Sequence, residues 1–316
     1  MSQETKQPSL LMVVIAFAIL YIVWGSTYLF IVFALEGFPT TVLGSFRFSL
    51  AGLIMLIYCI IRKEKVWDWQ VIKRASIVGV LLLFIGNGGV VFAENTISSS
   101  LAAIIVSAAP IWFVILDKKM WATNFKDSST LLGLAIGFVG VVMLFYDSLH
   151  GVQVAGTQME LYIALLVIFI GCLCWTAGSI YNKYNATGSA AVNITWQMIA
   201  GAVAYSVAAL VSGEAASFEP GNVTSEAFWS LIYLVILGSI AGYSAFIWLL
   251  QVRPITQVST YAYVNPVVAV LLGVVFVNEK ISPLQYGALA VILAGILLIN
   301  LNKYRKKKKA KQQTGG

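Results

Sequence analysis

The sequence predicts an all-α membrane protein of ten transmembrane helices, built as two inverted five-helix repeats. Three observations predict it: an apolar excess broken into ten runs, a lopsided distribution of basic residues, and one set of motifs that recurs in both halves. The 316 residues are 59% hydrophobic and 10% charged, where an ordinary soluble domain carries about 25% charged residues. Mean hydropathy is +0.88. A water-soluble fold of this length could not bury that much apolar surface. The bilayer is therefore the expected solvent, and lipid the expected surround.

A helix needs roughly 20 apolar residues to cross a bilayer. Runs bounded by charges, Gly and Pro give spans at 11–35, 41–61, 76–93, 99–117, 129–147, 161–181, 191–212, 228–250, 255–277 and 284–302. The first is too long for a signal-peptide core, and no small-residue cleavage site follows it. The segments are then a short N-terminus (1–10), a first repeat (11–147), a linker (148–160), a second repeat (161–302) and a basic tail (303–316). No stretch is left for a soluble catalytic domain.

The net charge of +7 invites a nucleic-acid reading, but its placement argues for a topology anchor beside anionic lipid and for no nucleic-acid partner. With the N-terminus in the cytoplasm, the inner segments hold 18 of the 20 Lys and Arg residues, including all seven of the tail from Lys303 to Lys311. Arg47 lies within a span, and only Lys280 falls outside. The positive-inside rule then puts both termini in the cytoplasm, which requires an even number of spans. Cys59, Cys172 and Cys174 sit inside apolar runs and read as small buried thiols. Asn222-Val223-Thr224 matches a glycosylation acceptor and would lie outside.

The two halves share features in order. Trp24-Gly25-Ser26-Thr27 in the first span answers to Trp175-Thr176-Ala177-Gly178 in the sixth. About 22 residues on come Arg47 and Gln197. Ser107-Ala108-Ala109-Pro110 in the fourth span answers to Tyr263-Val264-Asn265-Pro266 in the ninth, and the fifth and tenth spans are Gly-rich. Five spans per half force the second copy to enter the membrane upside down. Such inverted repeats surround a central site in many secondary transporters. Duplication retained only for packing is the bland alternative.

These residues also resemble a known family. Leu20 to Tyr28, Arg47-Phe48, Ser107 to Pro110, Ser259 to Pro266 and Asn278-Glu279 are similar to the EamA family of the drug/metabolite transporter superfamily, from about residue 11 to residue 302. The resemblance implies a ten-helix bundle of inverted repeats and alternating-access transport, often export, of amino acids, metabolites or drug-like compounds. It does not supply a substrate. Phe92-Ala93-Glu94-Asn95 is more acidic than this resemblance leads one to expect.

Several residues could carry such transport. Arg47 is the one basic residue well inside a span, a costly position in hydrocarbon. It either lines an aqueous cavity and meets a carboxylate, or snorkels to the interface. Glu94 reads as a proton relay, an ion-pair partner of Arg47, or a solvated helix end. Asn87, between Gly86 and Gly88, needs a hydrogen-bond partner, from substrate or from a neighbouring helix. Pro110 and Pro266 mark helix breaks, which in transporters often sit near the binding site. Trp24, Tyr28, Trp175, Tyr243, Tyr261 and Tyr263 could line a wet cavity and stack on a substrate or an ammonium group. With Gln197 and Asn265 they complete the expected pocket. Trp67, Trp69, Trp121 and Trp229 read as interface anchors. Gly133-x-x-x-Gly137 and Gly238-x-x-x-Gly242 predict close helix approach within the monomer.

Other classes fare worse. The sole histidine, His150, falls in a loop, so no His-based metal centre or triad is expected. Gly238-Ser239-Ile240-Ala241-Gly242 has its Ser one place too early for a nucleophile elbow. No Gly-rich phosphate loop appears. The expectation is a carrier with no cofactor and no metal, monomeric or dimeric, exporting small metabolites with amino acids first. The alternatives are an exporter of drug-like or cationic compounds, or a passive channel or structural membrane protein.

Overall fold

The computed structural model describes residues 9–146, 157–277 and 282–313. His150, Asn278, Glu279 and Lys280 lie outside them. Among the described residues the chain is helical, with no strand. The first half contains α1 (Leu10–Leu35), α2 (Thr40–Ile61), α3 (Trp69–Ala93), α4 (Ser99–Val106), α5 (Ala109–Leu116) and α6 (Ser128–Leu144). The second contains α7 (Gln158–Asn185), α8 (Ala190–Ser212), α9 (Ser225–Val252), α10 (Tyr261–Val277) and α11 (Pro283–Gln313). Among the described residues, eight helices are long and apolar enough to cross a membrane. A ninth is counted if Ser100–Leu116 and Lys118–Asn124, bent by 65° at their junction, form one span. α6 is apolar but 17 residues long. The chain is a multi-pass membrane protein.

Polar caps set many of the helix starts. Side chains of Ser9, Asp68, Ser98, Ser189 and Thr224 each accept a first-turn backbone N–H, satisfying donors that a helix start leaves orphaned. Thr157 and Glu160 form a full capping box at α7. Lys65 and the Gln70 N–H hold the half-buried Asp68 carboxyl below the usual carboxylate range. α2 begins after Pro39, which offers no side-chain cap. The carboxylate of Glu214 serves instead, accepting from Thr41 N at 2.7 Å and Thr41 Oγ1 at 2.8 Å. A negative group there also suits the positive end of the helix dipole.

Several limits differ from the hydropathy reading. α3 starts at its cap, seven residues before the expected 76, because Lys73 and Arg74 depress hydropathy without interrupting the helix. Arg74 donates to Asn185 O at 3.0 Å. The fourth span is two helices separated by a turn at Ser107 and Ala108. The ninth has a short helix, Ile255–Val258, then a turn before α10. The last helix continues through the basic residues to Gln313, so most of the expected tail is helical. Residues 158–160 of the expected linker belong to α7.

Glycine allows a close helix contact. α6 and α11 pack together. A methyl added at Gly295 would stand 2.6 Å from Gly137 N and 2.8 Å from Gly133 O. The two backbones touch, so the Gly-x-x-x-Gly of α6 is used within the chain. Tyr263, fully buried, pins this pair to α10 by donating to Leu134 O at 2.9 Å.

Candidate functional site

The main cavity, about 520 Å³, lies among α1, α2, α3, α7, α9 and α10. It reaches the ends of α1 and α3 at Leu35, Glu94 and the exposed Asn95. That volume is within the usual range for small-molecule pockets, roughly 300–1,000 Å³.

Nine of the eleven residues expected at a pocket line it, and Tyr263 does not, because its ring packs against Gly137 and its hydroxyl bonds Leu134 O on α6. α1 contributes Trp24 and Tyr28, α2 Arg47, and α3 Asn87 and Glu94. α7 contributes Trp175, α9 Tyr243, and α10 Tyr261 and Asn265. Gln197 lies one layer behind. Tyr243 donates to its Oε1 at 2.8 Å, and its Nε2 donates to Asn182 Oδ1 at 2.8 Å. All three are buried, so this chain runs from the cavity wall across α9, α8 and α7.

Arg47 is 8% exposed. Its Nε donates to Ser239 Oγ at 2.8 Å, and its guanidinium carbon sits 5.1 Å from the centre of the Phe48 ring. Two fixed contacts hold the planar fork in one orientation, with the group forming part of the cavity wall. Glycine makes room for it: a methyl added at Gly238 would meet Arg47 Nη2 at 3.2 Å. Among the lining residues, Arg47 and Glu94 are the two that carry charge.

The aromatic residues form one cluster. Trp24 and Trp175, matching positions of the two halves, meet edge to face at 5.6 Å. Trp24 also meets Tyr261 at 5.2 Å. Phe246 lies beneath Trp24 at 5.1 Å and beneath Trp175 and Tyr261 at 5.6 Å each. Trp24 Nε1 donates to Gly238 O at 3.1 Å, which orients the indole.

Helix irregularities border the cavity. α3 contains a π-helical segment, Val80–Gly86, and α9 contains another, Leu234–Tyr243. Such segments frequently occur at functional sites. The first ends just before Asn87, and the second includes Gly238, Ser239 and Tyr243. Tyr205 donates to Asn87 Oδ1 at 3.4 Å. Pro266 lies inside α10, whereas Pro110 occupies the first turn of α5, where a missing N–H costs no hydrogen bond.

Polar side chains gather at the other end of the bundle. Tyr184 donates to both oxygens of the buried Asp117, at 3.0 and 3.1 Å. Lys183 donates to Arg253 O at 2.9 Å and to Leu250 O, at the C-terminus of α9 where a cation is favoured.

The sequence profile of the EamA-like transporter family matches residues 11–146 and 162–301. The chain belongs to the EamA-like transporter family. Among its relatives, this EamA-like chain is 31% identical over 286 residues to the inner membrane transporter YedA of Escherichia coli K12, covering 90% of this chain and 89% of that one. It is 24% identical over 297 residues to a probable amino-acid metabolite efflux pump of the same organism, covering 92% and 95%. One solved structure aligns with TM-score 0.75 at 18% identity, over 93% of this chain and 98% of that one. That likeness concerns the fold. The family assignment supports a transport role for the chain.

Ser239, Phe246 and Tyr205 were not among the residues expected at the site. Ser239 stood out only as the serine of a sequence that fails as a nucleophile elbow. Phe246 and Tyr205 gave no signal, because an aromatic inside a span reads equally well as lipid-facing or core. Tyr243→Phe should leave Gln197 Oε1 buried without its donor, at about 1–3 kcal/mol. The expected result is a lower thermal midpoint in detergent, and an unchanged midpoint would show that the chain of hydrogen bonds does not stabilise the fold.

Proposed function

We propose that this EamA-like protein exports amino acids and related small zwitterions across a bacterial inner membrane by alternating access. The carrying observation is the cavity lining: one cation, Arg47, and one anion, Glu94, among aromatic and aliphatic walls. A zwitterion with an apolar side chain matches that balance. The name of the efflux-pump relative supports the same class.

We read the architecture as ten spans in two inverted repeats, counting α4 with α5 as one span and α6 as another. Several features support it. α1 packs on α9 and α10, as α7 packs on α3, α4 and α5. α2 packs on its counterpart α8, and α6 on its counterpart α11. The π segments fall in the third span of each half, and the family profile matches two segments of similar length. With basic loops and both termini in the cytoplasm, the cavity faces outward. The Asp117–Tyr184 and Lys183 contacts then close the inner side.

The test is counterflow in liposomes, with purified protein and a panel of labelled amino acids, with and without a proton gradient. Saturable exchange of an amino acid is expected. If no amino acid exchanges while a cationic drug-like compound does, the substrate class is wrong. Flux without counterflow would point to a channel.

A further inference from the structure

We propose that Asn265 reads the amino group of the substrate, so that the cavity selects molecules carrying both an N–H donor and a carboxylate. This rests on the amino-acid reading above and adds a specificity-determining residue to it.

Asn265 is 5% exposed and lines the cavity. Its Oδ1 is buried and accepts no hydrogen bond. Buried polar atoms are nearly always paired. An unpaired acceptor in a cavity wall is therefore a place for a donor that arrives with the ligand. The surroundings fit an ammonium group. Tyr261 lies one helical turn before Asn265 on the same side of α10, and it meets Trp24. Asn265 O would lie 3.3 Å from a methyl added at Gly25, the residue after Trp24. That oxygen is the backbone carbonyl, so Asn265 sits where α10 closes on α1, in the same cavity wall as Trp24 and Tyr261, whose rings can attract a cation.

Arg47 comes from a different helix, α2, and its orientation is fixed by Ser239 and Phe48. A guanidinium suits a carboxylate and repels an ammonium. An amide oxygen does the reverse. The two groups thus read different ends of one molecule. A compound lacking the amino group would leave Asn265 Oδ1 buried and unpaired, and sites built around such a bond discriminate strongly against the missing donor.

The experiment compares phenylalanine with 3-phenylpropionate, its analogue without the amino group, as counterflow substrates of the full-length protein in liposomes. The native protein should prefer phenylalanine by at least about tenfold, the equivalent of one good hydrogen bond. In Asn265→Leu, phenylalanine should weaken to the level of 3-phenylpropionate, which itself should not change. Asn265→Asp retains an acceptor at nearly the same volume and should keep or increase the preference. If Asn265→Leu does not fold, the aspartate variant decides: loss of the preference in it overturns the proposal. An unchanged preference in Asn265→Leu overturns it too, while leaving the amino-acid reading intact. If neither compound exchanges with the native protein, nor any amino acid of the panel, both readings fall.

Discussion

Arg47→Ala should weaken amino-acid counterflow by roughly 10- to 100-fold, seen as a rise in the half-saturating concentration. Hydrogen bonds to a charged group contribute about 1.5–3 kcal/mol, and 1.4 kcal/mol corresponds to a tenfold change in affinity. The cavity offers a carboxylate no other cation among its lining residues. Arg47→Lys should recover only part of the loss. Lysine keeps the charge, but it lacks the planar fork and the Nε that bonds Ser239. Elution as a single species from a sizing column serves as the folding control, because the Ser239 bond also ties α2 to α9. Unaltered counterflow in a folded Arg47→Ala protein would remove the arginine from the binding site.

Gly295→Val should be strongly damaging although it lies outside the cavity. At Gly295 the obstructing atoms are backbone, Gly137 N and Gly133 O, and backbone cannot rotate aside as a side chain can. The α6–α11 pair would have to separate along its length. Overpacking of this kind costs about 1–3 kcal/mol and occasionally more. The thermal midpoint in detergent should fall by roughly 5 °C or more. Gly287→Val, on the same helix, is the control, since a methyl there meets nothing within 4 Å. Equal midpoints for the two variants would mean that the glycine contact is not what binds these helices.

The sequence makes the site more legible than the packing. Polar and amphipathic residues deep in apolar runs are conspicuous because hydrocarbon penalises them. That is why Arg47, Asn87 and Asn265 stand out in the bare sequence, and why they line one cavity. The converse signal is missing for apolar residues. In a soluble helix the apolar stripe marks the core. In a bilayer both faces are apolar, so nothing distinguishes the fully buried Phe246 from the exposed Phe169. Gln197 shows a related limit. Its type and repeat position marked it as important, but not that it would stand behind Tyr243. The π segments were likewise invisible, since Val80–Gly86 and Leu234–Tyr243 have compositions that fit any membrane helix. The caps, by contrast, are local chemistry, and Asp68 or Ser189 could have set the helix starts better than hydropathy did.

The paired charges of the cavity bear on energetics as well as recognition. Moving one elementary charge through a membrane potential of 100 mV involves about 2.3 kcal/mol. A binding chamber with a single fixed charge would feel that field each time the empty carrier reset. Here Arg47 and Glu94 line the same chamber with opposite sign. Their contributions oppose each other, and the zwitterion proposed above as substrate would add no net charge. In the proposed alternating-access cycle, the loaded and unloaded steps would then involve little electrical work, leaving the substrate gradient and any co-moving ion to set the direction.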